Sequence, residues 1–182
     1  MNYRYANFKQ GKIAYTVSGK GRAVVLLHGF LGSAEIWDGL SAALAKYFKV
    51  ICIDLPGHGQ SDCFGYIHNM ELMAKSVKAV TDSLHLSKYV FIGHSMGGYA
   101  TLAFVELFPD NIRGLCLFHS TSYADSEQKK KDRDKAIKAV KNNYNIYVRA
   151  TIRNLFNTKH LKQLKKEILF TQQIARKTSK RG

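Results

Sequence analysis

The chain has 182 residues, 46% of them hydrophobic, with only two prolines and 14 glycines, which fits one globular domain with or without an appendage and excludes a disordered chain. No stretch approaches the ~20 apolar residues needed to cross a bilayer, and residues 1–12 lack the apolar run of a secretory signal, so a cytoplasmic protein is expected. The formal charge of +15 is uneven: residues 1–120 carry +3 and residues 121–182 carry +12, so any reading of basicity belongs to the last third.

Tyr3 to Lys9 and Lys12 to Val17 read as a hairpin turning at Gln10-Gly11. After a Ser18–Gly21 turn, Ala23 to Leu27 is a continuous apolar run, as in a strand buried on both faces. A loop from His28 to Ser33 leads to a predicted helix over Ile36 to Tyr47, with Ile36, Leu40, Leu44 and Tyr47 on one side. Val50 to Ile53 is the next buried strand, followed by a glycine-rich loop from Asp54 to Ser61. Asn69 to Leu84 is helical, Tyr89 to Ile92 is a strand, and Gly93 to Gly98 is a sharp turn. Tyr99 to Phe108 is a helix stopped by Pro109, and Ile112 to Phe118 is a sixth strand.

This alternation specifies an α/β fold: a mostly parallel sheet with crossover helices and an antiparallel edge from the leading hairpin. From Ser120 the pattern becomes helical, over Asp125 to Tyr144, Ile146 to Phe156 and Leu161 to Ile174, with a Lys-rich outer side. The expected division is a core over 1–120 and a helical cap segment over 121–182. Cys52, Cys63 and Cys116 show no metal spacing, and Cys52 and Cys116, inside apolar runs, read as buried small hydrophobes. No metal site and no cofactor is expected.

Gly93-His94-Ser95-Met96-Gly97-Gly98, between an apolar strand and a helix, has the context of a nucleophile elbow. The glycines at 93 and 97 let strand and helix pass closely, and the turn lifts the Ser95 hydroxyl clear of the sheet. An incidental serine in a glycine-rich turn is the plainer reading of the same letters. His28-Gly29-Phe30 follows the third strand. Acyl transfer needs two preorganised N–H donors for its oxyanion, and Met96 and Phe30 are placed to supply them. His28 reads as orienting the loop, not as a base. Asp54-Leu55-Pro56-Gly57-His58-Gly59-Gln60-Ser61 lacks the lysine of a phosphate-binding loop and reads as a structural turn.

The segments HGFLGSAEIWDGL, DLPGHGQSD and GHSMGGYATLAFVELFPD, in this order and spacing, resemble the α/β-hydrolase superfamily in its esterase-like, cofactor-independent branch. They look similar to carboxylesterases and to the menaquinone-pathway synthase. The resemblance covers residues 11–120 and implies a serine hydrolase acting on a small ester, thioester or lactone. It makes Ser95 the nucleophile, the backbone N–H groups of Phe30 and Met96 the oxyanion hole, and His28, Gly29, Gly93, His94 and Gly97 the supporting residues. In the family an acid and a catalytic histidine follow later strands, so on this resemblance the chain reads as C-terminally truncated, and inactive or weakly active. Asp125, expected to cap a helix, is the alternative acid, and His119 is the first alternative base.

Other readings stay open: a non-catalytic ligand-sensing or pseudoenzyme member of the fold, or a C–C lyase or synthase. The expected partner is a small-molecule substrate. No nucleic-acid motif is present, and the basic cap reads as a solvated face, with loose association to an anionic surface as the alternative. The sixth strand, left as an open edge, is a place for self-association.

Overall fold

A computed structural model of the chain describes residues 2–178; the terminal Lys180-Arg181-Gly182 lies outside them. A six-stranded sheet runs in the order β1-β2-β4-β3-β5-β6. Its strands are β1 (Tyr3–Phe8), β2 (Gly11–Ser18), β3 (Ala23–Leu27), β4 (Lys49–Ile53), β5 (Tyr89–His94) and β6 (Ile112–Phe118). The hairpin β1–β2 is antiparallel and joins β4 antiparallel, while β4, β3, β5 and β6 are mutually parallel. Every residue of β3 is buried, as its unbroken apolar sequence requires of a central strand covered on both faces.

Successive strand residues point to opposite faces, and each face meets its own helices. Val25, Leu27, Ile51, Ile53 and Phe91 form one core with Met73, Val77 and Val80 of α2 (Met70–Ser83) and Ala100 and Phe104 of α3 (Met96–Leu107). Val24, Leu26, Val50 and Cys52 face the other way, onto Ala34 and Trp37. The helix expected over Ile36 to Tyr47 is instead a 3₁₀ turn, Ala34–Trp37, followed by α1 (Asp38–Leu44). The tighter turn rotates the buried side onto Trp37 and Ser41, leaving Leu40 and Tyr47 exposed.

The helical segment comprises α4 (Glu127–Asn142), α5 (Tyr144–Asn154), a 3₁₀ turn at Thr158–His160 and α6 (Lys165–Lys177). Ser126, not Asp125, caps α4: its side chain accepts from the Lys129 N–H, while Asp125 pairs with Lys129 and Arg133. Contacts at several places tie this segment to the core, Arg133 of α4 hydrogen-bonding to Tyr99 of α3 among them. Leu31 packs with Val148, Ile152 and Ala175, and Lys177 pairs with Glu35 at 2.8 Å. Cys52 is buried as expected, but Cys116 is exposed. The cause is its strand: among the described residues β6 pairs only with β5, so an apolar run there is not covered on both sides.

Candidate active site

β3 is the point where the chain order of the parallel strands splits, β4 lying on one side and β5 on the other. Loops leaving the carboxyl ends of such strands converge on a crevice. Leu27 is opposite Gly93 in the β3–β5 pair, so the loop that starts at His28 emerges beside the turn that carries Ser95.

Ser95 stands between the end of β5 at His94 and the start of α3 at Met96, with φ +49° and ψ −113°. Positive φ is uncommon for a residue with a side chain, and such backbone persists only where its surroundings over-determine it. Hydrogen bonds on both of its backbone polar groups do so here. The Ser95 N–H donates to the Phe118 carbonyl at 3.0 Å, and the Ser95 carbonyl accepts from the Gly98 N–H at 2.9 Å. Strand and helix pass so closely that a Cβ at Gly97 would lie 2.3 Å from the Leu27 carbonyl oxygen. A Cβ at Gly93 would meet the Gly97 carbonyl oxygen at 2.6 Å.

The His28–Ser33 loop lies against this turn: a Cβ at Gly29 would come within 2.8 Å of His94 Nδ1 and 3.2 Å of Ser95 Cβ. Phe30 follows Gly29 and is partly exposed, while Leu31, at φ +60°, is buried beneath α5 and α6. Met96 is the first residue of α3, so its N–H is among those a helix leaves without an internal acceptor, at the positive end of the helix dipole. Met96 directly follows Ser95 at the start of α3, and Phe30 directly follows Gly29, the residue that lies against Ser95.

His28 is fully buried and holds the loop. Its Nδ1–H donates to the Gly29 carbonyl at 2.8 Å, and its Nε2 accepts from the Leu55 N–H at 2.9 Å. Both nitrogens are occupied, and burial pushes the pKa down to about 3. A neutral, doubly bonded imidazole of this kind has no lone pair free to take a proton. His94 is also held below the ordinary histidine range, by burial first and by His119 second. His119 follows β6 at φ +47° and packs its ring 4.6 Å from Phe118. Among the described residues neither histidine hydrogen-bonds to the Ser95 hydroxyl.

Asp54 is a supporting residue that the motif reading passed over as part of a turn. Its buried carboxylate accepts from the Ala34 N–H at 2.6 Å and the Gln60 N–H at 2.8 Å, joining the loops that follow β3 and β4. The signal available was an acidic residue directly after a buried strand. Burial raises its pKa to about 6. Asp125, just before the cap of α4, is ion-paired with Arg133 and Lys129, a structural use of its carboxylate.

Two surface cavities, of about 220 and 610 Å³, are lined by Tyr3, Glu35, Asp38 and Phe170 and by Lys9–Gly11 and Asp62–Gly65; neither touches Ser95. Among the described residues no group of three or more His, Cys, Asp or Glu side chains is placed to hold a metal ion.

The chain is 34% identical over 104 residues to an uncharacterised protein of Mycobacterium tuberculosis, covering 57% of this chain and 30% of that one. It is 32% identical over 126 residues to a 2-hydroxy-6-oxononadienedioate/2-hydroxy-6-oxononatrienedioate hydrolase of Paraburkholderia phymatum, covering 63% of this chain and 43% of that one. In structure it is similar to a thermophilic esterase from Thermogutta terrifontis, with a TM-score of 0.89 and 24% identity over 100% of this chain and 69% of that one. The chain thus spans less than half the length of either sequence relative. The profile of the alpha/beta hydrolase fold matches residues 22–165, more than three quarters of the chain. With that match, the sheet order and the turn at residue 95, the chain belongs to the α/β-hydrolase fold family.

Proposed function

We propose that the chain carries the nucleophile and oxyanion hole of a serine hydrolase acting on a small ester, thioester or lactone. The backbone of Ser95, at φ +49° between β5 and α3, is the observation that supports this most. In this reading the Ser95 hydroxyl attacks the substrate carbonyl carbon. The carbonyl π electrons move onto oxygen, and the N–H groups of Phe30 and Met96 receive that oxyanion, aided by the dipole of α3. Solvent takes the Ser95 proton and returns one to the alcohol, thiol or ring oxygen as collapse breaks its bond to the acyl carbon, leaving an acyl-serine for water to hydrolyse. His28, Gly29, Gly93, His94 and Gly97 support the geometry. The proton of Ser95 needs an acceptor, and with His28 doubly bonded the described residues give it none by hydrogen bond.

The expected activity of the chain is therefore low. Hydrolysis of p-nitrophenyl acetate should be weak, far below the normal enzyme range, and Ser95→Ala should remove only the part that passes through an acyl-serine. Oxyanion stabilisation and binding alone leave on the order of 10³–10⁴ over water when triad members are missing. Acylation of Ser95 by p-nitrophenyl acetate no faster than that of exposed serines would contradict the assignment. Turnover above ~1 s⁻¹ that is lost in Ser95→Ala would mean a further residue acts as base, His119 being the first to replace.

The similarity to a hydrolase of a 2-hydroxy-6-oxo diacid favours one second reading, in which the same site cleaves a C–C bond beside a carbonyl. A C–C substrate turned over while simple esters are not would select it. A ligand-sensing protein without turnover is the reading left if Ser95 proves unreactive.

A further inference from the structure

We propose that the outward side of α4, with the exposed aliphatic side chains near it, binds an anionic lipid surface. This inference stands apart from the hydrolase reading and does not depend on Ser95.

None of the 16 residues of α4 is buried. Ala136 and Val140 are its only half-buried positions and mark the side turned to the protein. At 3.6 residues per turn, Lys131, Lys135 and Lys138 share the opposite side, with Lys141 one turn beyond. Carboxylates within or just before the helix engage Lys129, Lys130, Arg133 and Lys135. Among the described residues Lys131, Lys138 and Lys141 make no ion pair. These three lysines lie on the side away from the body, which also carries the unpaired Asp134 one turn from Lys131 and from Lys138, and the segment's balance is +12 over residues 121–182.

Charge alone would suit any polyanion. The aliphatic side chains select the class. Ile137, 55% exposed, lies two turns after Lys130 and one before Lys141 on the helix surface. Ile146, four residues beyond the end of α4, is 67% exposed. Aliphatic groups among lysines gain nothing from phosphodiester contacts, which are polar and ionic. They do gain from the acyl boundary of a bilayer, where basic side chains reach headgroup phosphates and aliphatic ones are buried. No helix among the described residues is long and apolar enough to cross a membrane, so contact of this kind is peripheral.

The test is co-sedimentation of the full chain with vesicles of phosphatidylcholine alone, or with phosphatidylglycerol as one lipid in three, at low and at ~0.15 M salt. Binding is expected only to the anionic vesicles, weaker at the higher salt. The triple variant K131E/K138E/K141E should lose on the order of 100-fold in affinity, since each basic residue near such a surface contributes about fivefold. Ile137→Ala, which keeps every charge, should weaken binding severalfold. K20E/K46E/K88E, three exposed lysines of the core, makes the same charge change elsewhere and should lose far less. Equal loss in both triple variants, an unchanged affinity in Ile137→Ala, no binding to anionic vesicles, or tighter binding to a DNA duplex at the same salt would each overturn the proposal.

Discussion

The Ser120 hydroxyl donates a hydrogen bond to the carbonyl oxygen of Ser95 at 2.8 Å. The Ser95 N–H is held two residues earlier, by the Phe118 carbonyl. The end of β6 therefore grips both backbone polar groups of the strained residue, with His119 between them at φ +47°. Gly98 makes room for the grip, since a Cβ there would sit 2.3 Å from Ser120 Oγ.

Ser120→Ala should therefore cost about 1 kcal/mol, the net worth of a hydrogen bond whose acceptor keeps a second donor. Gly98→Ala should cost more, because its methyl group meets Ser120. Urea unfolding of the two variants checks the order. Equal and negligible losses would mean that β6 does not brace the turn.

Stability should fall as pH drops below about 6.5. An unfolded His28 takes up a proton near its ordinary pKa, whereas the folded imidazole refuses it until about pH 3. The unfolded state binds more protons across that window, so acid destabilises by about 5 kcal/mol in total from this group. Asp54 acts in the opposite sense. Its folded pKa of about 6 exceeds the unfolded 3.8, so between those values acid favours the folded state by about 3 kcal/mol. Histidine wins, and Asp54→Asn should make the acid loss steeper. Urea midpoints from pH 7 to pH 4.5 measure both slopes. A midpoint that rises with acid would contradict the buried neutral state of His28.

Leu31→Ala removes the side chain that the loop after β3 inserts among Val148, Ile152 and Ala175. A loss of about 2–5 kcal/mol is expected for truncating a fully buried leucine. Because Leu31 couples the helical segment to the core, amide exchange in α5 and α6 should accelerate before that in β3 and β5. Uniform acceleration would mean the two parts open as one unit.

β6 presents Leu115 and Phe118, 40% and 47% exposed, on the sheet's outer strand. Edges of this kind pair with other chains. Size-exclusion chromatography should show self-association growing with salt, as screening shortens the reach of the +15 charge to ~8 Å at physiological ionic strength. A monodisperse monomer at every salt concentration would remove the edge as an interaction surface.

The sheet and the turn at Ser95 were legible because their signals are local: unbroken apolar runs for β3 and β4, and paired glycines where two backbones nearly touch. What was not legible depends on neighbours. Cys116 lies in as apolar a run as Cys52, yet only a central strand has cover on both sides. The buried side of α1 was misjudged because a 3₁₀ start at Ala34 shifts the phase, and periodicity alone does not show where a tighter turn begins. Asp125 and Ser126 are adjacent and equally fit to cap α4, and the ion pair with Arg133 decides between them. Ser120 belongs to no motif. Its role exists only because β6 ends beside β5.

Acylation at a single side chain tests the assignment of Ser95 most directly. After incubation with p-nitrophenyl acetate, peptide mapping by mass spectrometry gives the acetylated fraction of every serine and threonine. Ser95 should be acetylated faster than any other hydroxyl, and Ser95→Ala should leave the remaining pattern unchanged. Acetylation of Ser95 no faster than that of exposed serines such as Ser122 would contradict a nucleophile at this turn.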